Sequence, residues 1–372
     1  MDLTLASAHD IIYLTLMKGL EFPIVGTKVP GLTKKFDLAD PKSRKEYFQA
    51  KVGKEIGLIS NYLETGTFMA FLLGKKNSGK GTYSGFLREI FGLDKIAIVA
   101  LGDLVREVHA NWDGYTRTDE YQDLKKFYRG FISFDEAIER LHGRSTTSLL
   151  PSEFILALLK ARIKKTGKKA IFVDGIPRDT DQISYALFFR DLADYREDPD
   201  LFVMIDIPMS VIDERIKYRV ICPNCSTSRN IKLLVTKDIE YDKDTGKFHL
   251  ICDNPECKNV RMVTKEGDDL GLGPIKERLE KDEMILQRVN ELHGIPKVML
   301  RNHVPAKEAL EHYDEYELTP EYVLHWDEKG KKVRVEEKPW TVKDDNNVES
   351  YSLLAPPVVV SLIKQLRKVL EL

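Results

Sequence analysis

The segment from Gly74 to Thr82, GKKNSGKGT, has residue types and spacing that could bind phosphate groups. Glycines bound a short loop, Lys80 ends it, and the hydroxyl of Thr82 follows two residues later. Backbone N–H groups of such a loop and of the helix that follows attract phosphate oxygens. The lysine would add a full charge near the terminal phosphates, and the hydroxyl would lie beside a magnesium ion. A lysine-rich surface turn is the alternative that the loop alone leaves open.

Acidic and basic side chains follow two further predicted strands. Residues 96–99 and 170–173 are short and apolar; the first leads into Asp103, and the second into Asp174 and Arg178. In parallel α/β sheets, ligands bind at the carboxyl ends of the strands. We therefore expect these side chains to lie beside the loop, in one phosphate-binding site.

The chain has four cysteines, and all of them lie between positions 222 and 257. They form two close pairs, Cys222-x2-Cys225 and Cys252-x4-Cys257. Four thiolates in two pairs suit a tetrahedral zinc ion and leave no coordination position open for catalysis. The pattern predicts a structural Zn²⁺ site, and four reduced cysteines without metal are the alternative.

The elements that must position these residues alternate along the chain. An apolar run at 68–73 predicts a strand before the loop, and Phe86, Leu87 and Ile90 give the next segment a helical stripe. A further helix is predicted at 181–194. Alternating strands and helices predict a parallel sheet that is covered on both faces. The predicted fold class is α/β, with three layers of helix, sheet and helix.

The residues before the loop show helical patterns without recognisable chemistry. A first helix is predicted from Leu5 to Leu20. Ser43 to Glu46 fits a capping box that would open a second helix. We expect both helices to pack on the core.

The residues after the cysteines continue the fold. A helix is expected at 275–292, and residues 322–326 and 332–335 indicate a β-hairpin. Residues 336–350 are polar and predict a surface loop. A final helix is expected to pack on the sheet through an apolar stripe, formed by Val358, Leu362, Leu366 and Leu370.

The composition predicts a globular enzyme of the cytoplasm. The chain has 372 residues, of which 42% are hydrophobic and 31% charged, and its formal net charge is −2. A nearly neutral chain has no basic field that would indicate a nucleic-acid partner. No apolar run approaches the roughly 18 residues that span a bilayer, and no signal peptide is indicated. We expect neither a nucleic-acid nor a membrane partner.

Six segments together resemble the adenylate kinases, a family of nucleoside monophosphate kinases. The segments are GKKNSGKGT, LGDLVREV, LLPSEFILALLKARI, VDGIPRDTDQ, DERIKYR and DDLGLGPIKERL. They follow one another in family order from about Thr67 to Leu279. The resemblance implies a P-loop kinase fold.

The resemblance implies a role for each residue that matches a family motif. The implied ATP-binding residues are Gly74, Asn77, Ser78, Gly79, Lys80, Gly81, Thr82 and Arg215. The implied AMP-binding residues are Gly102, Asp103, Arg106, Gly175, Arg178 and Gln182. The implied catalytic residues are Lys80, Asp174, Arg178, Arg219 and Arg278. The resemblance also implies that Asp268 and Asp269 pair with arginines or hinge the lid, the segment that carries the cysteines.

The resemblance implies a domain organisation as well. A core at 67–219 would contain a helical insertion for the monophosphate at about 102–150, and residues 220–267 would form a small β lid that binds zinc. A helical extension (1–66) would precede the core. Residues 268–372 would complete the core and add a C-terminal hairpin and helix. The expected oligomeric state is a monomer.

The implied activity is reversible, Mg²⁺-dependent phosphoryl transfer, ATP + AMP = 2 ADP. ATP and a nucleoside monophosphate are therefore the expected partners, and Gln182 favours adenine. Lys76-Asn77 replaces the family's Pro-Gly in the loop, where asparagine tolerates a left-handed backbone. Leu101 stands where a threonine usually contacts the monophosphate base. A kinase for UMP, CMP or GMP stays open, as does a nucleotide-binding regulatory protein with little turnover.

Overall fold

The computed structural model describes residues 20–143, 150–180, 182–183, 199–265 and 268–372. The predicted first helix lies outside these ranges apart from Leu20, and so does most of the helix predicted at 181–194. The side chain of Asp269 also lies outside the description. No helix among the described residues is both long and apolar enough to cross a bilayer.

Strands and helices alternate along the described chain. The strands are β1 (Met69–Gly74), β2 (Ile96–Ala100), β3 (Ala170–Asp174), β4 (Asp200–Asp206), β5 (Arg219–Ile221), β6 (Ser228–Asn230), β7 (Ile239–Asp242), β8 (Lys247–Leu250), β9 (Val263–Thr264), β10 (Lys297–Arg301), β11 (His303–Pro305), β12 (Pro320–Asp327), β13 (Lys332–Pro339), β14 (Thr341–Lys343) and β15 (Glu349–Ser352). The helices are α1 (Pro41–Tyr62), α2 (Lys80–Phe91), α3 (Leu101–Ala110), α4 (Trp112–Tyr115), α5 (Asp119–Phe127), α6 (Phe134–His142), α7 (Ser152–Thr166), α8 (Met209–Lys217), α9 (Lys276–Asn290), α10 (Ala309–His312) and α11 (Ala355–Val369).

β1 lies at the centre of a five-stranded parallel sheet with the strand order β10–β4–β1–β3–β2. Phe71 of β1 pairs with Val173 on one side and with Phe202 on the other. Parallel strands require crossover connections, which helices usually supply. The predicted α/β class and parallel sheet are confirmed, and the architecture is consistent with a P-loop kinase fold.

Both faces of the sheet are buried under helices. Ala70 and Leu72 of β1 belong to one apolar core, together with residues of α1, α2 and α11. Met69 and Phe71 point to the opposite face and belong to a second core, together with residues of α3 to α7 and α9. A strand that is buried on both faces has a continuous apolar run rather than an alternating pattern. This burial explains the apolar run that precedes the glycine-rich loop.

α1 begins at Pro41, so the predicted capping box is wrong. Asp40 is the N-cap, and its Oδ2 accepts a 2.7 Å hydrogen bond from the backbone N–H of Ser43. Proline suits the first helical position because it has helical φ and lacks an N–H that would need a partner. Glu46, the other half of the predicted box, forms an ion pair with Lys34.

The polar segment 336–350 is not a surface loop, contrary to the prediction. β13 continues to Pro339, and β14 and β15 join β11 in a three-stranded antiparallel sheet. Trp340 is only 5% exposed and belongs to an apolar cluster with Val211 and Ile212 of α8. One buried aromatic side chain therefore anchors a segment whose other residues are mostly polar.

The C-terminal hairpin (β12 and β13) lies against the cysteine-bearing segment 220–267. The ring of Trp326 stacks on Tyr241 of β7, with 4.9 Å between centroids and 19° between planes. The backbone N–H of Tyr322 donates a 2.7 Å hydrogen bond to the carbonyl oxygen of Lys232. The hairpin predicted from the sequence is therefore present, and it contacts the segment that was predicted to be a lid.

Glu317 joins the N-terminal and C-terminal parts of the described chain. Its carboxylate is fully buried and accepts hydrogen bonds from the hydroxyls of Thr27 and Tyr47. The Lys51 ammonium lies 3.7 Å from this carboxylate and 2.7 Å from that of Asp314. Removing a buried carboxylate with several partners leaves those partners unsatisfied, which costs more than the loss of one contact.

We predict that Glu317→Ala lowers the free energy of unfolding by about 3–5 kcal/mol, because two hydroxyls and part of the Lys51 charge lose their partner. Urea unfolding followed by circular dichroism measures the change. The control is Glu328→Ala in the exposed turn of the C-terminal hairpin, which should change stability by less than about 0.5 kcal/mol. Equal effects of the two substitutions would show that the buried network does not stabilise the fold.

Candidate functional site

The glycine-rich loop (residues 74–80) connects β1 to α2. Asn77 has a φ of 67° and Gly79 a φ of 100°, so both residues adopt left-handed conformations. Glycine adopts this conformation without steric cost, and asparagine tolerates it better than most residues do. The left-handed backbone that the sequence allows for Asn77 is therefore present. The two residues turn the chain so that α2 begins at Lys80.

The side chain of Lys80 lies across this loop. Its Nζ donates hydrogen bonds to the carbonyl oxygens of Gly74, at 2.8 Å, and of Lys75, at 3.2 Å. Burial lowers the pKa of Lys80 below its ordinary value, and the carboxylates of Asp174 and Asp282 act in the opposite direction. The carbonyl contacts hold the ammonium group at the centre of the loop.

A cavity opens beside the loop, at the carboxyl ends of β1 and β3. Lys80, Asp174, Arg178 and Arg278 line it, together with Asp282 of α9. The structure therefore brings four of the five residues predicted to be catalytic around one cavity. Three cations close together favour an anion with several oxygens, and guanidinium groups bind phosphate through two parallel hydrogen bonds.

Arg106 and Arg178 converge on Gly102, at the start of α3. A Cβ atom added at Gly102 would lie 3.5 Å from a guanidinium nitrogen of each arginine. Arg106 is exposed, and its guanidinium hydrogen-bonds to the carboxylate of Asp103. Gly175 has a φ of 98°, and a Cβ atom there would lie 2.7 Å from Arg178 Nη2. The two glycines thus leave room for the guanidinium groups predicted to hold the monophosphate.

Gln182 is buried beside the turn that carries Arg178. Its Oε1 accepts a 2.8 Å hydrogen bond from the backbone N–H of Arg178, and its Nε2 donates a 3.1 Å hydrogen bond to Ser152 Oγ. The resemblance implied contact with an adenine base. In the structure, the amide bonds to protein atoms and fixes the backbone from which the Arg178 side chain extends.

Arg215 and Arg219 both contact Asn77 of the glycine-rich loop. Arg215 donates 3.1 Å hydrogen bonds to the Asn77 carbonyl oxygen and to Asn302 Oδ1. Arg219, the first residue of β5, binds Asp268 through two hydrogen bonds of 2.6 and 2.5 Å, and its Nη1 donates to Asn77 Oδ1 at 3.2 Å. The pairing of Asp268 with an arginine, which the resemblance implied, is confirmed. The structure therefore connects both arginines to the loop.

The remaining predicted ATP-binding residues lie at the start of α2. Ser78 is fully buried, and its Oγ has no hydrogen-bond partner among the described residues. Gly81 and Thr82 are exposed in the first turn of α2. N–H groups at the N-terminus of a helix carry partial positive charge, so this turn can attract an anion.

The sequence did not predict the role of Lys75. Its side chain is buried, and its Nζ lies 2.9 Å from Asp345, 3.3 Å from Glu283 and 3.2 Å from the carbonyl oxygen of Ile207. Burial alone would lower the pKa of Lys75, but the carboxylates of Glu283, Asp345 and Asp206 raise it above its ordinary value. Lys75 and Asp345 are 270 residues apart, so no local pattern could have identified the pair.

Asp282 is the second residue that the sequence did not predict. The resemblance ended at Leu279, but Asp282 lies four positions after Arg278, on the same face of α9. Its Oδ2 accepts a 2.9 Å hydrogen bond from the backbone N–H of Lys76. Helical spacing from Arg278 could have placed this carboxylate beside the cavity.

The four cysteines form one cluster. Cys222 Sγ lies 3.7 Å from Cys257 Sγ, Cys225 Sγ lies 3.6 Å from Cys252 Sγ, and all four sulfurs lie within 4.8 Å of one another. A disulfide would place two sulfurs about 2.05 Å apart, so these cysteines are free thiols. The cluster could hold a metal ion.

Two small β elements hold the cysteine pairs together. β5 pairs with β6 and β9, and Cys222 follows β5 directly. β7 and β8 form an antiparallel hairpin that ends just before Cys252. Cys222, Cys252 and Cys257 are buried with Leu250 and Met262 in a separate apolar cluster. The cysteine-bearing segment therefore has its own core.

Comparisons with known proteins agree with this geometry. No family model matches the chain. The adenylate kinase of Thermotoga petrophila is 29% identical over 203 residues, which are 54% of this chain and 75% of the relative. This chain is thus similar to adenylate kinases, at low identity. The adenylate kinase of Kosmotoga olearia is 26% identical over 228 residues, which are 60% of this chain and 86% of the relative. The adenylate kinase of Elusimicrobium minutum is 28% identical over 193 residues, which are 51% of this chain and 78% of the relative.

The homology to adenylate kinases covers about half of the chain. It supports a phosphotransferase and agrees with the parallel sheet. In the described part of the chain, the loop, the strand ends and the arginines meet where a phosphate group could bind.

Gly79→Ala is predicted to lower the free energy of unfolding by about 1–3 kcal/mol, because alanine is strained at a φ of 100°. The added Cβ would also lie 2.7 Å from the ring of Tyr83. The matched control is Gly57→Ala within α1, where a Cβ meets nothing within 4 Å, and a gain of about 0.5–1 kcal/mol is expected. Urea unfolding measures both. A stabilising Gly79→Ala would contradict the strained conformation.

Proposed function

We propose that the protein is a nucleoside monophosphate kinase that catalyses reversible, Mg²⁺-dependent phosphoryl transfer, ATP + AMP = 2 ADP. The observation that carries this proposal is the cavity lined by Lys80, Asp174, Arg178 and Arg278 beside the glycine-rich loop. Arg106 lies near Arg178. A protein that only binds ATP has no need of arginines on the acceptor side.

The chemistry requires positioning and charge neutralisation more than proton transfer. A monophosphate nucleophile is already ionised at neutral pH, so no general base is needed. Arginine and lysine side chains can hold the two nucleotides in line and stabilise the charge of the transferring group. Lys80 and the loop N–H groups are proposed to bind the ATP phosphates. Arg178 and Arg106 are proposed to bind the monophosphate.

Arg278 and Arg219 are proposed to approach the transferring phosphoryl group, and Arg215 to lie near the ATP base. Thr82 and Asp174 are the residues that would hold Mg²⁺, which when bound supplies charge neutralisation between the phosphates. Oxygen ligands of this type suit a hard cation.

The proposal includes the two mobile segments that the resemblance implies. Residues 102–150 are proposed to cover the monophosphate and residues 220–267 to act as the lid over ATP. Closure of the two would exclude water from the transferring phosphoryl group. The extensions at 1–66 and after about 295 would brace this core.

AMP is the proposed acceptor because the relatives are named for adenylate and because Gln182 matches the family's motif residue for adenine. Leu101, which is buried at the start of α3, offers no side-chain hydrogen bond to an acceptor base. This residue keeps UMP, CMP or GMP as alternative acceptors.

We predict that the protein forms ADP from ATP and AMP with Mg²⁺, and that Arg178→Ala reduces turnover by about 10³-fold. Diphosphate formation is measured with AMP, UMP, CMP and GMP in turn. Arg288→Ala is the matched control, because this exposed arginine lies on α9 outside the cavity. A preference for another monophosphate would show that the protein is a monophosphate kinase but that AMP is not its main acceptor. ATP binding without turnover on any acceptor would instead favour a regulatory nucleotide-binding protein.

We also propose that the cysteine cluster holds a structural Zn²⁺ ion. Sulfurs around a tetrahedral zinc at about 2.3 Å would lie about 3.8 Å from one another. The distances of 3.7 Å and 3.6 Å between two pairs of sulfurs are close to that value. Four thiolates complete the coordination, so the ion would stabilise the lid rather than take part in catalysis.

The purified protein is predicted to contain about one zinc per chain, and Cys252→Ser is predicted to lose it. Elemental analysis measures the metal. Limited proteolysis should then cut the variant within 220–267, because a small metal-dependent module unfolds without its ion. Ser228→Ala, an exposed change in the same segment, should retain the metal. Full resistance to proteolysis in a zinc-free chain would show that the apolar cluster alone holds the segment.

A further inference from the structure

Asp282 places a carboxylate beside the cavity that is proposed to hold the phosphate groups. It lines the cavity with Lys80, Arg178 and Arg278, and its Oδ2 accepts a 2.9 Å hydrogen bond from the N–H of Lys76. Lys76 stands where the family loop has a proline, which lacks a backbone N–H, so this donor is particular to this chain. The hydrogen bond holds the Asp282 carboxylate beside the cavity.

The charge of Asp282 opposes a metal-free nucleotide. Burial raises the pKa of Asp282, whereas Lys80 and Arg278 act in the opposite direction and favour the carboxylate. Like charges a few ångströms apart repel strongly where water is partly excluded. ATP without a metal ion would bring further negative charge beside this carboxylate, and its binding would be weakened.

A divalent cation reverses this effect. Magnesium is bound in phosphate sites by one or two carboxylates together with phosphate oxygens and water. Asp174, at the end of β3, and Asp282, on α9, are two carboxylates that line the same cavity as Lys80. Both therefore add negative charge to the cavity in which a nucleotide-bound ion would lie.

We propose that Asp282 is a magnesium-positioning residue that makes nucleotide binding depend on the divalent ion. Its charge repels metal-free phosphate from the cavity, and it works with Asp174 to hold the ion once the nucleotide has entered. This inference rests on the proposed function, because it requires that ATP binds at the glycine-rich loop.

A purely structural role for Asp282 predicts a different result. If the carboxylate only fixes the loop through Lys76, asparagine would serve as well, because its amide oxygen can accept the same hydrogen bond. Asp282→Asn thus removes the charge and keeps the acceptor. The dependence of binding on metal separates the two roles.

The experiment measures the affinity of the full chain for ATP by calorimetry, without an acceptor, in excess EDTA and in excess Mg²⁺. The wild-type protein is expected to bind about tenfold or more tightly with Mg²⁺. Asp282→Asn is expected to bind metal-free ATP about tenfold more tightly than wild type and to lose most of the gain from Mg²⁺. Glu280→Gln, two residues away on the same helix, is the matched control and should behave as wild type.

The outcomes separate a failure of the proposed function from a failure of the role proposed for Asp282. If wild type binds no ATP under either condition, the proposed function fails at the loop itself. If wild type binds ATP but Asp282→Asn keeps the wild-type metal dependence, this inference is overturned and the proposed function stands. Asp282→Ser repeats the test with a smaller side chain, and thermal unfolding of each variant confirms that the compared proteins are folded.

Discussion

Positive charge is concentrated around the glycine-rich loop, and distant parts of the chain supply the carboxylates that balance it. Lys75 is buried beneath the loop against Asp345 and Glu283. Arg219 is bound by Asp268 through two hydrogen bonds. Attraction between such groups is strong because burial limits screening by water and salt. The C-terminal segment thus stabilises the loop, since without Asp345 the Lys75 charge would lose one of its two carboxylate partners.

Asn77 gives this arrangement its geometry. It adopts a left-handed backbone, its carbonyl binds Arg215, and its side-chain oxygen binds Arg219. A single residue therefore connects the shape of the loop to α8 and to β5, the strand that leads into the cysteine-bearing segment. Its side chain also explains why the loop keeps its turn although it lacks the family's Pro-Gly.

Local spacing predicted the parts of the site that depend on neighbouring residues. The apolar run at 68–73, the loop ending at Lys80, and Asp174 after its strand could be recognised because strand, loop and helix follow one another directly. The two cysteine pairs could be recognised by their short spacings, and the small β elements around them bring the two pairs together. The order of the motifs along the chain then indicated which strand ends would meet.

Other features could not be predicted because their partners are remote or their signals are weak. Nothing near Lys75 indicates Asp345, and the polar residues around Trp340 concealed a buried anchor. The start of α1 was assigned to Ser43, because a serine followed by Glu46 fits a helix N-terminus as well as Asp40 followed by Pro41 does. Two N-terminal signals therefore occur close together, and in the structure the helix begins at Pro41.

The packing of α1 in one core with α11 has a consequence for folding while the chain is being synthesised. Phe48 and Ile59 of α1 belong to the same apolar core as residues of α11, and Thr27 binds Glu317, which lies 290 positions later. Contacts between such distant residues form late, because a long loop must close before they can be made. As the chain leaves the ribosome, residues 41–62 emerge long before the surface that buries them. A nascent chain that stops before Ala355 has the glycine-rich loop and its strands but still exposes the part of its apolar core that α11 covers.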